Sequence, residues 1–526
     1  MDKLHYIHSR AGRIGARADT SAADVDAIVA KLRSDARKHL VIHFHGGLVS
    51  KESGLELAER LLPVYQAGGK QGGYPLFFVW ESGAWETIRN NFTELADEPV
   101  FKELLRKIVQ YALERVGASD PFGLGRSATP GSTGSRETEV KKAFKQFWNA
   151  PSPQTIPYHG TTPSSPGQAR SVSDIVDDSE ILADLEQDTE VKKALATLPD
   201  LPPGTRSTFG GGQATERRSA FSEVAAHEFS KQSGTRGLVE LYTVAKYLAK
   251  VLRAVIKRYR SGRDHGIYAT SVEELVRAFK IAGSSVNEWG KALQWNRMKQ
   301  DTIDAFDPDP NLHAGTALLS RLKTAIDSGW DLQRITLVGH STGAIYIANW
   351  LENAARFLPA TLKHDVVFLA PAITYQRFAT MLTKCQANVG KFRMFAMQDA
   401  LEREDQVWGS DDELAEQRDW RRFIYPSSLL YLVSGILESR LEDGKLIDEF
   451  DAPLVGMQRY FEDRDTYSAA NFPEIEQVRV WLATVADSLV WSKTDNAGAG
   501  LGSSSNDHGA FDNDAETLQS LRHILG

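Results

Sequence analysis

The sequence predicts an α/β protein whose mostly parallel central sheet is flanked by helices and interrupted by a large, mainly helical insertion. Short apolar runs, such as residues 40–44 and 75–80, have the length and composition of strands that are buried on both faces. Strand and helix signals alternate near both ends of the chain, whereas residues 93–312 break this alternation. The chain is therefore divided into a first part of the core at 1–92, an insertion at 93–312 and a second part of the core at 313–526.

The first part of the core reads as strand, helix and strand. Residues 40–44 form the first buried strand, and residues 53–69 follow with apolar side chains at helical spacing and two glycines, Gly68 and Gly69, as a stop signal. The run PLFFVW at 75–80 is the next strand. This order predicts two parallel strands that are covered by helices.

The insertion combines helices with segments rich in Gly, Ser, Thr and Pro. Residues 117–173 and 201–218 have that composition and are predicted to be flexible loops. Helices are predicted at residues 98–117, 174–195 and 237–260. We interpret the acidic charges of the second helix as a solvated face. The third helix is expected to pack on a core, with a position on a membrane surface as the alternative.

The second part of the core resumes the alternation. Strands are predicted at residues 334–340, 365–371, 391–397 and 488–494. Helices are predicted at residues 314–329, 341–357 and 515–525. Together with the first part, these elements predict one sheet that the insertion interrupts at a loop above the strand ends.

Charge and composition exclude several classes of protein. A net charge of −8 gives no indication of a nucleic-acid partner, and the single cysteine, Cys385, excludes an internal disulfide framework and a cysteine-rich zinc site. The N-terminal segment has no apolar core of signal-peptide length, and no run approaches the roughly 18 apolar residues of a transmembrane helix. We therefore expect a cytoplasmic protein without a transmembrane segment, with export by a dedicated secretion machine left open.

One short motif points to nucleophilic chemistry. Gly339, His340, Ser341, Thr342 and Gly343 form a Gly-x-Ser-x-Gly pattern that an apolar strand enters and an amphipathic helix leaves. This context fits a nucleophile elbow, in which the serine occupies a strained turn and the glycines let strand and helix pass without a clash of Cβ atoms. The pattern without this context is weak.

A second motif, LVIHFHGGLVS at residues 40–50, admits two interpretations. His43 and His45 have the His-x-His spacing of some metal sites, but Gly47 and Leu48 occupy positions where a metal site would need further ligands. Alternatively, the strand ends in a loop whose N–H groups hold a developing negative charge. The serine motif favours the second interpretation, so we expect no metal ion and interpret His43 as a buried strand residue satisfied by backbone.

With these motifs, the two parts of the core resemble the serine esterase and lipase branch of the α/β-hydrolase superfamily. The insertion shows no such resemblance. The resemblance implies an α/β-hydrolase fold with the insertion as a cap. It also implies an oxyanion hole made by the N–H groups of Gly47 or Leu48 and of Thr342. His45, Gly46, Gly339, His340 and Gly343 are then supporting residues.

The resemblance also implies the chain order serine, acid, histidine for a catalytic triad. His508 lies between the last predicted strand and the last helix and is the expected base, whereas His523 lies inside the closing helix. Asp399 follows the strand at 391–397 by two residues and is the expected acid. The fallbacks are Asp405, Glu402 and Glu404, which otherwise read as a solvated charge cluster.

Two tryptophans, one apolar segment and one histidine lie outside these motifs. Trp289 and Trp295 line the pocket or belong to a core, and the apolar segment at 421–440 lines an acyl groove or belongs to a core. His265 is expected to have a role at a helix start, with Thr270 or Ser271 as the cap.

The implied function is hydrolysis of carboxylic esters by Ser341, His508 and Asp399 without a cofactor. The expected partner is a small-molecule or lipid ester, and peripheral contact with a membrane remains open. Two rival functions follow from the same residues. In the first, the chain is a lipase or phospholipase that acts on membrane lipids. In the second, it retains the fold as a catalytically silent binding protein. The sequence does not indicate the oligomeric state.

Overall fold

The computed structural model describes the chain in ranges that leave out several segments. The described residues are 1–15, 18–47, 49–66, 72–81, 95, 97–117, 176–198, 225–229, 238–282, 295–407, 424–438, 440–442, 445–447 and 451–526. The loops expected at 118–173 and 201–218, the stop glycines Gly68 and Gly69, and Leu48 and Trp289 lie outside these ranges.

The chain divides into two compact units. Unit 1 comprises Met1–Thr87, Gln294–Asp405 and Ala452–Gly526, and unit 2 comprises Ile88–Leu293 and Gln406–Asp451. Residues 406–451, which the sequence analysis grouped with the second part of the core, therefore belong to unit 2.

Unit 1 contains a seven-stranded sheet in the order β1-β3-β2-β4-β5-β6-β9. Its strands are β1 (Tyr6–Arg10), β2 (His39–Phe44), β3 (Tyr74–Glu81), β4 (Arg334–His340), β5 (His364–Leu369), β6 (Val389–Met397) and β9 (Leu489–Ser492). All neighbouring strands are parallel. The expected α/β class with a parallel sheet flanked by helices is thus confirmed.

The helices of unit 1 lie between these strands along the chain and flank the sheet. They are α1 (Ala22–Ser34), α2 (Lys51–Tyr65), α8 (Trp295–Asp304), α9 (Ala314–Asp327), α10 (Gly343–Ala354), α11 (Tyr375–Cys385), α12 (Asp399–Glu404), α14 (Gln458–Glu462), α15 (Pro473–Ala483) and α16 (Ala515–Leu525). Helix α2 packs on β3 and α16, and α10 packs on β4 and β2. The core between α2, α16 and the sheet includes Leu61, Phe77, Val338 and Leu521, all nearly inaccessible to solvent.

The register of the sheet positions the residues of interest. Phe44 at the end of β2 pairs with Gly339 of β4, and Gly339 pairs with Phe368 of β5. Because parallel strands end at one edge, the segment after β2 and the turn after β4 lie side by side at the carboxyl ends of the central strands. Ligand sites of open α/β sheets form at such an edge.

Unit 2 is mainly helical. Its helices are α3 (Pro99–Val116), α4 (Asp178–Leu185), α5 (Thr189–Leu195), α6 (Leu238–Arg260), α7 (Ile267–Ala282) and α13 (Leu429–Leu432). A π-helical turn (Val433–Leu437) follows α13, and two short antiparallel strands are β7 (Arg440–Glu442) and β8 (Lys445–Ile447). Helix α6 packs on α3, α4 and α7, with Val244, Leu248 and Leu252 buried. Its apolar face is therefore occupied by a protein core.

The acidic helix expected at 174–195 is divided into α4 and α5, and its charges are not simply a solvated face. The ammonium group of Lys107 contacts Asp184 at 2.6 Å and Asp188 at 2.7 Å, and Asp188 is buried. The expectation was wrong for these two residues because α3 brings a buried cation against them, and a buried charge must be paired.

Candidate active site

Ser341 occupies a sharp turn between β4 and α10. Its φ is +53°, in the left-handed region that non-glycine residues rarely adopt, and its N–H donates to the carbonyl oxygen of Leu369 at 2.9 Å. A Cβ atom on Gly339 would lie 2.7 Å from Cδ1 of Ile347, and one on Gly343 would collide with the carbonyl oxygen of Phe44. The two glycines are therefore required by the close passage of strand and helix.

The base expected from the sequence lies against this serine. Nε2 of His508 is 3.0 Å from Oγ of Ser341, although the residues are 167 positions apart. His508 begins a short 3-10 turn, His508–Ala510, between β9 and α16. Both side chains are buried, with 6% of Ser341 and 5% of His508 exposed. The contact has the geometry for proton transfer from the hydroxyl to the imidazole.

The carboxylate of Asp405 contacts the backbone of His508. Oδ2 of Asp405 accepts a hydrogen bond from the N–H of His508 at 3.0 Å, and only 1% of Asp405 is exposed. Nδ1 of His508 is buried and has no hydrogen-bond partner among the described residues. The carboxylate of Asp405 is thus hydrogen-bonded to the backbone of His508, the same residue whose Nδ1 lacks an acceptor.

The structure does not bring Asp399 to His508. As the first residue of α12, Asp399 directs its carboxylate along the helix to Arg403, whose Nε lies 2.8 Å away. Asp405 follows the end of that helix and turns inward instead. The expectation of a solvated cluster is also wrong for Glu402 and Asp405, which are 0% and 1% exposed. The six-residue helix thus separates an outward from an inward carboxylate.

The segment after β2 approaches the serine turn closely. The N–H of Gly47 donates to Oγ1 of Thr342. A Cβ atom on Gly46 would lie 3.4 Å from Cβ of Ser341, and one on Gly47 would collide with the side chains of Met298 and Thr342. Thr342 directly precedes the first residue of α10, so its own N–H has no intrahelical acceptor. The expected oxyanion donors Gly47 and Thr342 are therefore adjacent.

His45 braces this segment as a neutral imidazole. Its Nε2 accepts from the N–H of Trp80 at 3.0 Å, so Nδ1 carries the proton that is donated to the carbonyl oxygen of Gly46 at 2.6 Å. Burial lowers the pKa of His45 to about 4. This arrangement ties the end of β3 to the glycine segment.

His43 has a different partner from the one expected. Nδ1 of His43 is 2.8 Å from the hydroxyl oxygen of Tyr65 on α2, rather than being satisfied by backbone, and burial lowers its pKa to about 3. His43 and His45 thus use separate partners on separate elements. Within the described ranges, no group of three or more His, Cys, Asp or Glu side chains has an arrangement that could hold a metal ion.

His340, in the serine motif, forms a polar pair that the sequence did not indicate. Its Nδ1 is 3.2 Å from Oδ2 of Asp512, and its Nε2 is 3.0 Å from the carbonyl oxygen of His508. The rings of His340 and His508 stack with their centroids 5.4 Å apart. Burial opposes it, but the contact of the ring with the carboxylate of Asp512 raises the pKa of His340.

The electrostatic surroundings hold His508 in its neutral form. Burial, reinforced by the charge of His340, lowers its pKa to about 3. A neutral imidazole is the form that can accept a proton from a serine hydroxyl.

Asp405 and Asp512 contact His508 and His340 in the structure, whereas the sequence favours Asp399 over Asp405 and gives no indication of Asp512. Asp405 was a fallback, and Asp512 follows His508 by four residues in the segment His-Gly-Ala-Phe-Asp. The signal for Asp512 was its closeness in sequence to the expected base, on a segment that a 3-10 turn folds back on itself.

The remaining candidates are core residues. Trp295 is 2% exposed at the start of α8. His265 is buried within unit 2, where its Nε2 contacts Oε1 of Glu273 at 2.8 Å and its ring stacks on Tyr431. Helix α7 begins at Ile267, so Thr270 and Ser271 lie inside it and do not cap it. The segment at 424–437 is also mostly buried.

In the described part of the chain, no helix is both long enough and apolar enough to cross a membrane. Comparisons with protein-family models, with curated proteins and with solved structures found no match, so the chemistry of the site is inferred from its own residues and geometry.

Proposed function

We propose that this chain is a serine hydrolase with an α/β-hydrolase core that cleaves carboxylic esters through an acyl-enzyme intermediate. The observation that carries the proposal is the contact of 3.0 Å between Oγ of Ser341 and Nε2 of His508, on a strand–turn–helix with Ser341 at positive φ. A serine hydroxyl is a weak nucleophile at neutral pH and needs such a base.

In the acylation step, Oγ of Ser341 attacks the ester carbonyl carbon while Nε2 of His508 takes the hydroxyl proton. The carbonyl oxygen becomes an oxyanion, which the N–H groups of Thr342 and Gly47 stabilise. The Gly47 N–H donates to Oγ1 of Thr342 in this structure, so the threonine hydroxyl must turn aside when the oxyanion forms. When the tetrahedral intermediate collapses, His508 returns the proton to the leaving alkoxide.

Asp405 is the acid of this proposed triad. When the serine O–H donates to Nε2 of His508, the proton of the neutral ring is on Nδ1, which is buried and requires an acceptor. Asp405 already accepts from the backbone N–H of the same residue, so we propose its carboxylate as the acceptor for Nδ1. In deacylation, His508 takes a proton from a water molecule whose oxygen attacks the acyl carbon. The resulting tetrahedral intermediate expels Oγ of Ser341, which receives that proton from His508, and the carboxylic acid is released.

The role of residues 93–312 as a cap belongs to the same proposal, as does the choice of ester. The triad chemistry is shared by enzymes that cleave esters, amides, thioesters and lactones. Esters are proposed ahead of amides because a tetrahedral intermediate expels an alkoxide more readily than the anion of an amine.

Labelling with a fluorophosphonate probe tests the nucleophile. We expect the wild type to be labelled and Ser341→Ala to be unlabelled. Ser427→Ala is the matched control, because Ser427 is another buried serine whose hydroxyl contacts a histidine, His265, at 3.4 Å. That variant should be labelled like the wild type. A chain-length series of p-nitrophenyl esters then measures the acyl preference.

Two other outcomes have distinct meanings. Hydrolysis that rises strongly when the substrate is presented in vesicles would favour a lipase or phospholipase over a hydrolase of small esters. Folded wild-type protein that is neither labelled nor active on any ester would contradict the enzymatic proposal and favour a silent binding protein.

A further inference from the structure

Both ring nitrogens of His340 face oxygen atoms that accept hydrogen bonds. Nε2 faces the carbonyl oxygen of His508 at 3.0 Å, and Nδ1 faces Oδ2 of Asp512 at 3.2 Å. A carbonyl oxygen and a carboxylate only accept, so both ring nitrogens must donate. Only the imidazolium form of histidine carries two N–H groups.

Asp512 has the surroundings of an ionised carboxylate. Its Oδ1 also receives a hydrogen bond from the guanidinium of Arg60 on α2 at 3.0 Å, and its contact with His340 holds its pKa below the usual range although burial opposes this. Asp512 is 6% exposed and His340 is 7% exposed. The pair is thus a buried ion pair with one further cationic partner.

The other titratable groups around His340 do not replace its charge. On β2 and the segment after it, burial keeps His43 and His45 neutral, with pKa values lowered to about 3 and about 4. On the segment before α16, Asp507 adds a second negative charge that favours the cation. The ring of His508 stacks on that of His340, at 5.4 Å between centroids.

We propose that Asp512 holds His340 as an imidazolium, and that this cation positions His508 and keeps its imidazole neutral. The positioning acts through the carbonyl oxygen of His508, which His340 holds by hydrogen bond. The electrostatic effect acts through the stacked rings, because a neighbouring positive charge disfavours a second one on His508. The part of this inference that concerns catalysis rests on the proposed function, whereas the charge state of His340 does not.

The charge state is measured by NMR of protein labelled with ¹⁵N in its histidine rings. At about pH 7.5 we expect one imidazole with both nitrogens protonated, which is absent in His340→Gln and is lost in Asp512→Asn. The ring of His508, assigned by its absence in His508→Gln, should titrate at higher pH in His340→Gln than in the wild type. Asp512→Asn provides the first test on its own if His340→Gln does not fold.

His39→Gln is the matched control. His39 is also buried, but it lies at the opposite end of β2, with Nε2 2.8 Å from Oγ1 of Thr336. This substitution should leave the doubly protonated ring and the titration of His508 unchanged. A neutral His340 at about pH 7.5, or a titration of His508 that is the same with and without His340, would overturn the proposal.

Kinetics supply a second readout. In His340→Gln we expect the acid limb of kcat/KM on a p-nitrophenyl ester to lie at a higher pH than in the wild type. The KM should be little affected, since His340 does not face the substrate. An acid limb at the same pH in both proteins would contradict the electrostatic role. Absence of ester hydrolysis in the wild type would contradict only the proposed function, because the NMR titrations test the charge state of His340 without substrate.

Discussion

Asp405 and His508 are joined by a hydrogen bond of 3.0 Å from the backbone N–H of the histidine to the carboxylate of the aspartate, and both residues are buried. Asp399, the residue first expected to be the acid, instead contacts Arg403 at a more exposed position. The two aspartates are six residues apart, at opposite ends of a short helix. Their different surroundings allow the identity of the acid to be tested by matched substitutions.

We expect Asp405→Asn to lower kcat for ester hydrolysis on the order of 10³-fold, because an amide neither fixes the tautomer of His508 nor stabilises its imidazolium. Asp399→Asn, the control, should retain activity within a few-fold. Steady-state kinetics with a p-nitrophenyl ester and thermal unfolding of both variants would measure this. Loss of activity in Asp399→Asn alone would assign the acid to Asp399.

A second prediction concerns pH and stability. Burial lowers the pKa of His39, His45 and His364 to about 4 and that of His43 to about 3. Below the unfolded value of about 6.5, the unfolded chain binds protons that the folded chain does not, so the stability of unit 1 falls as the pH falls from there towards about 4. Each such histidine contributes at most about 1.4 kcal/mol per pH unit.

The measurement is urea unfolding of Ser341→Ala between about pH 7 and about pH 5.5. We expect the free energy of unfolding to decrease as the pH falls over this range. With His39→Gln the decrease should be less steep, because unfolding then takes up about one proton fewer. An unchanged free energy would mean that these rings are protonated in the folded state.

The elements of the sheet were predictable where a strand is buried on both faces. The run RITLVGH is β4 over the same residues that the sequence indicated, because a continuous apolar run of that length has few other uses in an α/β protein. β1 was not predicted, since YIHSR at the sheet edge mixes polar and apolar residues and carries no such signal. Its pairing with β3 depends on contacts between distant segments.

The candidate site divides in the same way. Ser341 and His508 were predictable because the turn at Ser341 needs glycines at fixed positions and the segment before α16 offers one histidine. The carboxylate that contacts His508 was not predictable, because the direction of each carboxylate depends on where the six-residue helix α12 begins and ends. The partner of His340 was also not predictable from the sequence, since its contact with Asp512 joins residues that are 172 positions apart.

A third prediction concerns the hydroxyl of Thr342, which accepts from the N–H of Gly47. In Thr342→Ala this acceptor is lost, and the glycine segment is no longer held in the orientation that the oxyanion needs. We expect kcat to fall about 10-fold, with restoration by Thr342→Ser, which keeps the hydroxyl. Faster hydrolysis by Thr342→Ala would instead mean that the hydroxyl only blocks the donor.

A fourth prediction concerns the backbone approach at Gly343, where a Cβ atom would collide with the carbonyl oxygen of Phe44. Neither β2 nor α10 can move without disturbing the buried sheet, so Gly343→Ala should lower the melting temperature markedly or prevent folding. Gly498→Ala is the control, because a Cβ atom there meets only Cδ1 of Leu501 at 3.6 Å. Equal melting temperatures for the two variants would show that the turn tolerates a side chain.

The last prediction concerns Glu273, the buried centre of a polar network in unit 2. Its carboxylate contacts Arg258 at 2.5 Å and His265 at 2.8 Å, and accepts from the hydroxyl of Tyr425. A Cβ atom on Gly435 would collide with this carboxylate, so the glycine of the π-helical turn allows the close packing. The network therefore links α6 and α7 with the segment at 424–437, which is distant in sequence.

Removal of one partner from a buried ion pair leaves the other charge without compensation and costs about 3–5 kcal/mol. We expect Glu273→Gln to lose about that much stability, reduced to the extent that Glu274, 2.9 Å from Arg258, still neutralises the guanidinium. Glu190→Gln is the matched control, because its pair with Lys193 is exposed to solvent and contributes little to stability. Calorimetric unfolding of both variants measures the difference, and a Glu273→Gln protein as stable as the control would mean that apolar packing alone joins these segments.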